Sequence, residues 1–188
     1  MRTSRRRGRR RSLAAAVLAL GLGLTGVLAS AAPASATPVD ITCLTGTRNT
    51  AYTPPLTNTP APTHLQITDH FNCVSLLSGV SSGSGGFSVD VPSTSCLASV
   101  QSPLTSNTAT YHWNTGVYST ITFASSTAVR AADGTVTVTS IGAVTAGLGI
   151  GQLATRITVE PNLNLTACFG DGLSETNSVL NSLVIAPV

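Results

Sequence analysis

Apolar residues alternate with polar ones along most of this chain, in short stretches bounded by Pro, Gly, Asn or Asp, and that pattern points to strands. Successive side chains of a strand face opposite ways, so a period of two marks a pleated segment with one buried face. The stretches are 41–53, 64–73, 87–91, 96–100, 108–113, 117–123, 123–130, 135–144, 153–159, 163–168 and 179–185. Asn114-Thr115-Gly116 and Asp133-Gly134 read as hairpin turns, and Pro54-Pro55 closes the first strand. The runs 80–86 and 147–151 are rich in glycine and read as a loop and a break. No segment has the 3.6-residue period of a helix. With 117–123 and 123–130 continuous, and 96–100 and 163–168 the least regular, these stretches make eight or nine short strands at even spacing, which suggests a β-sandwich with Greek-key connections.

The first 36 residues follow another logic. Seven arginines fall between Arg2 and Arg11, an uncharged run of 16 residues covers 13–28, and Ala34-Ser35-Ala36 is a small-x-small cleavage signal. That order is a secretory signal peptide, cleaved after Ala36, with residues 37–188 as one domain outside the cell. Arg10-Arg11-Ser12-Leu13 loosely resembles a twin-arginine signal, but the general secretory route is preferred in so arginine-rich a head. The apolar run falls short of the ~20 residues of a membrane span.

Without the leader the charge reverses. Arg48, Arg130 and Arg156 face seven acids, a net charge of −4, and no lysine is present. Nucleic acid and anionic membranes are therefore poor partners. Of the 152 remaining residues, 44 are Ser or Thr and 10 are charged, so hydroxyls must solvate the surface. Such a composition favours pleated strands over helices.

Four cysteines in a secreted chain read as two disulfides. Three pairings are possible. Cys43–Cys73 with Cys96–Cys168 is favoured, because the first pair flanks two consecutive strands. No Cys-x-x-Cys spacing supports a metal site, and no cofactor motif is present. Cys96, Trp113 and Cys168 have the order of immunoglobulin-like domains, in which a buried Trp packs on a disulfide between two sheets. Thr166 departs from that pattern, since the family has a tyrosine two residues before its second cysteine.

The arginine-rich leader, Thr42-Cys43-Leu44-Thr45-Gly46-Thr47 and the Thr53–Pro60 segment T-P-P-L-T-N-T-P together resemble secreted β-proteins of high-GC actinobacteria. The resemblance implies compartment and an all-β fold, and no chemistry.

Catalytic signals are weak. Gly79-Val80-Ser81-Ser82-Gly83 matches G-x-S-x-G, but a nucleophile elbow needs a strand before it and a helix after it. His64, His70 and His112 lack a third metal ligand at suggestive spacing, and Asp69 and His70, adjacent on a strand, face opposite ways. A glycosidase pair would have to come from Asp69, Asp90, Asp133, Glu160, Asp171 and Glu175, with Asp133 and Asp171 better explained by turns. The remaining feature is aromatic. Tyr111 and Trp113 share a strand face, and a two-residue turn at Thr115-Gly116 would set Tyr118 opposite Trp113 on it. Three rings on one face could bind a sugar or a protein, or could fill a core. The sequence thus points to a secreted non-catalytic β-sandwich that binds an extracellular glycan or protein. Its alternatives are a self-associating structural protein of the cell exterior and, more remotely, a secreted hydrolase.

Overall fold

A computed structural model describes residues 38–99, 106–162 and 165–187, so the leader lies outside the described residues. The strands are β1 (Ile41–Leu56), β2 (Ala61–Val74), β3 (Ser82–Thr94), β4 (Asn107–Trp113), β5 (Tyr118–Arg130), β6 (Val136–Gly147), β7 (Leu153–Glu160), β8 (Leu173–Asn177) and β9 (Leu180–Ala186). Two short helices, α1 (Cys96–Ser99) and α2 (Leu165–Phe169), stand where the alternation suggested further strands. Neighbours pair antiparallel from β1 through β7, then β7 with β9 and β9 with β1. Eight strands therefore close a ring. The all-β expectation holds, but the sandwich is replaced by a barrel, because one sheet curls onto itself instead of two sheets facing each other. Alternation is the same in both architectures, and closure rests on the pairing of Ile41 with Ile185, far apart in sequence. β8 sits outside the ring, paired to the later part of β1.

The glycine-rich run 80–86 belongs largely to β3. A Cβ on Gly83 would strike the Trp113 indole, and one on Gly85 would strike the Thr110 carbonyl. The missing side chains make room for a bulky ring and a close backbone inside the barrel. Bulges matter as much. The β1–β2 register shifts between Thr42 and Thr45, and the β5–β6 register between Phe123 and Ser125. Each shift changes which alternate residues face inward. Before its bulge β1 buries Ile41 and Cys43, and after it Arg48 and Thr50.

Both disulfides adopt the favoured pairing, Cys43–Cys73 and Cys96–Cys168. The first clamps β1 to β2 at one end of the barrel. The second ties α1 to α2 at the other, where Leu56, Leu173 and Tyr52 pack around it. Two disulfides belong to the chemistry of an oxidising compartment. Among the described residues no helix is long and apolar enough to cross a membrane.

Candidate functional site

The barrel interior has three zones. The first is a dry plug at the end bearing the Cys43–Cys73 bridge. Ile41, Phe71, Trp113, Ile121, Leu183 and Ile185 fill it, all at most 3 % exposed. Leu148, from the loop after β6, packs against this plug. Trp113 donates its indole N–H to Ser119 Oγ at 2.9 Å, so its one polar atom is satisfied.

The second zone is a polar layer across the middle, and sequence reasoning missed it. Asp69, fully buried on β2, accepts from Arg48 Nε at 2.8 Å, Arg48 Nη2 at 2.9 Å, Tyr111 Oη at 2.9 Å and Asn181 Nδ2 at 2.8 Å. Asn181 in turn accepts from Thr158 Oγ1 at 2.9 Å. Burial opposes the charge on Asp69, but Arg48 outweighs it, with Arg156 and Tyr111 adding, and the carboxyl is held below its ordinary range. Burial likewise opposes the Arg48 cation, and Asp69 reverses that. Burial, then the Asp69 charge, pushes the Tyr111 hydroxyl well above its ordinary value, so it stays a neutral donor.

Arg156, on β7, completes the layer. Its Nη1 donates to Tyr111 Oη at 2.9 Å and its Nη2 to Asn107 Oδ1 at 3.3 Å. The Tyr111 hydroxyl stands between it and Asp69, leaving Arg156 Nη1 at 3.9 Å from Asp69 Oδ2. Its Cζ lies 4.1 Å from the centre of the Phe123 ring and 5.8 Å from that of Phe87. Among the described residues, Arg156 Nε is the buried side-chain polar atom without a partner.

The third zone is a cavity. A cavity of about 390 Å³ occupies the barrel on the far side of the polar layer. Arg48, Asn107 and Arg156 contribute polar groups to its lining, and Leu65, Ile67, Phe87, Val91 and Val138 apolar ones. Glu160, Asn162 and Glu175 also line it. Burial raises the Glu160 carboxyl above its ordinary value, Arg48 opposes this and Asp69 adds to it. An eight-stranded barrel is just wide enough either to be filled by side chains or to hold one small ligand. This barrel does both, one in each half.

The residues singled out from sequence fall as follows. Tyr111 and Trp113 share a face, but it is the inner one, at 0 % and 3 % exposure. Tyr118 does not join them. The turn holds three residues, with Gly116 at φ +81° and Trp113 N–H bonded to Val117 O at 2.9 Å. That one-residue difference sets Tyr118 opposite His112 on the outer face, 45 % exposed. His64, His70 and His112 all point outward, and His64 Nδ1 lies 2.7 Å from Asp90 Oδ1. Ser81 is exposed in the β2–β3 connection, where its N–H donates to Asn114 Oδ1, so the G-x-S-x-G string is no elbow. Asp133 accepts from Thr135 within its own turn, as expected. Of the six acids weighed as a pair, Glu160 and Glu175 both reach the cavity wall.

One signal in the sequence marks the polar layer: phase. Asp69 stands in step with Ile67 and Phe71, Arg156 with Ala154, and Asn181 with Leu183 and Ile185, each at a position that faces the interior. A charge in phase with the apolar face has to be paired inside. Comparison of the chain with protein-family models, with curated proteins and with solved structures returned no match.

Proposed function

We propose that this protein is a secreted barrel that binds one small, largely apolar molecule in its interior. The cavity of about 390 Å³ carries the reading: it falls in the size range of small-molecule sites, and its walls combine apolar side chains with arginine, glutamate, amide and hydroxyl groups. Binding remains the theme suggested by the sequence, but the contact surface moves. A glycan stacked on Tyr111, Trp113 and Tyr118 would need rings that the barrel turns inward or splits between two faces. A molecule inside the cavity needs none of them.

The test is titration with Nile red, a neutral apolar dye, against wild type and Val138→Trp. Val138 lines the cavity, and an indole there takes up much of its space. Wild type binds one dye per chain with a blue shift, and Val138→Trp loses binding while keeping its melting transition. No binding by wild type, or equal binding by both, overturns the proposal.

A second reading retains catalysis, because Glu160 and Glu175 share one cavity and burial keeps Glu160 protonated to higher pH. Two carboxyl groups with unequal proton affinity are what glycoside hydrolysis uses. Hydrolysis of aryl glycosides that disappears in both Glu160→Gln and Glu175→Gln would favour it. Activity unchanged in either variant would end it.

A further inference from the structure

We infer that the ligand is an organic anion whose carboxylate sits on the Arg156 guanidinium, with its apolar body in the outer cavity. The inference rests on the cavity reading above and adds the ligand's charge. It starts from an imbalance. Two arginines, Arg48 and Arg156, are buried in the polar layer with one carboxylate, Asp69. Asp69 is committed to Arg48, taking its Nε and Nη2 in a two-pronged bond at 2.8 and 2.9 Å. The equivalent edge of Arg156 has no such partner. Its Nε is unpartnered, and its Nη2 holds only the long 3.3 Å bond to the Asn107 amide oxygen.

A buried cation whose nearest carboxylate oxygen stands 3.9 Å off, behind a tyrosine hydroxyl, is only partly compensated, and guanidinium prefers planar two-pronged acceptors. Burial disfavours the charge on Arg156 and repulsion from Arg48 adds to that, while Tyr111 and Asp69 oppose it without reversing it. Glu160 does not serve as the missing partner. It lies four residues further along β7, roughly 13 Å away on an extended strand. The charges that act on Glu160 are those of Arg48 and Asp69. The Phe123 ring beneath the guanidinium and Phe87 at its flank hold its plane in place. Within the polar layer two guanidinium groups face one carboxylate, which leaves Arg156 to match a monoanion, while Glu160 and Glu175 also line the cavity, and Leu65, Ile67, Val91 and Val138 match a hydrocarbon body.

The experiment compares two ligands of equal length, decanoate and decan-1-ol, by calorimetry at neutral pH on wild type, Arg156→Gln and Asn107→Asp. A charge-assisted bond to a buried guanidinium predicts that wild type prefers decanoate by about 10- to 100-fold. Arg156→Gln removes that preference. Asn107→Asp, nearly isosteric, supplies the missing carboxylate from within the protein, so it too loses the preference while still binding decan-1-ol. It keeps the test valid should Arg156→Gln fail to fold. Equal binding of both ligands by wild type, or an undiminished preference in Asn107→Asp, overturns the assignment and leaves the cavity reading intact. If wild type binds neither ligand nor Nile red, both fall.

Discussion

The two ends of the barrel are built from the same strands, yet one is solid and the other hollow. At the solid end the inward residues are large and apolar, and Gly83 yields its space to the Trp113 indole. At the hollow end the inward residues of β5 and β6 are Ser126, Ala128, Val136, Val138 and Ser140, too small to meet across the lumen. Between them the Arg48–Asp69–Tyr111–Arg156 layer acts as a floor. The lesson is that a barrel's strand number sets its width, while side-chain size decides whether the width is used for packing or for a ligand.

The largest effect is expected at the floor. Asp69→Ala removes the acceptor of four hydrogen bonds and leaves two buried guanidinium groups facing each other. A loss of about 3–5 kcal/mol is expected from chemical denaturation. A loss below ~1 kcal/mol would mean that water already reaches the layer, and the two halves would not be separate.

Next comes a matched pair of truncations. Ile121→Ala in the fully buried plug should cost about 2–5 kcal/mol, since the cavity it leaves cannot refill. Leu65→Ala, on a partly exposed wall, should cost about 1 kcal/mol, because its side chain already borders open space. Equal costs in urea melts would erase the distinction.

The pH dependence sharpens it further. Asp69 is held below its ordinary value, so its stabilisation is present above the unfolded pKa of about 3.9 and is lost as pH falls through the folded value. Glu160 is raised, so its effect has the opposite sign. Its contribution is full below the unfolded pKa of about 4.3 and fades as pH rises through the folded value. Melting temperatures of Glu160→Gln and wild type should converge in mild acid and separate toward neutrality, with the variant higher. A constant offset between the two curves would show that Glu160 is solvated like an ordinary surface acid.

The smallest effect is optical. Trp113, 3 % exposed and on the plug side of the floor, should emit in the blue and resist acrylamide. Filling the outer cavity with decan-1-ol should leave that emission unchanged. A ligand-induced shift would place the bound molecule in the wrong half.

What could be read along the chain was whatever repeats locally. Alternation located most of the strands. It also assigned Asp69 and His70 to opposite faces and favoured the disulfide pairing that the fold adopts. It failed where local pattern and tertiary demand diverge. Run 80–86 looks like a loop because its glycines lack strand propensity, yet they belong to a strand that makes room for rings. Segments 96–100 and 163–168 look pleated, yet α1 and α2 overlap them, linked by a disulfide.

An all-β chain with two disulfides was legible from local pattern alone, because strand period, turn residues and cysteine number act over a few neighbours. Tertiary pairing closed the sheet, turned Tyr118 away from Trp113, and buried Arg156 Nε without a partner in a layer that borders a cavity. Those outcomes depend on pairings across more than 100 residues, as between Ile41 and Ile185, and on bulges that reverse a strand's phase. A two-residue period has no memory of either, so a charge in phase with the core could be seen in the sequence but not what it faces.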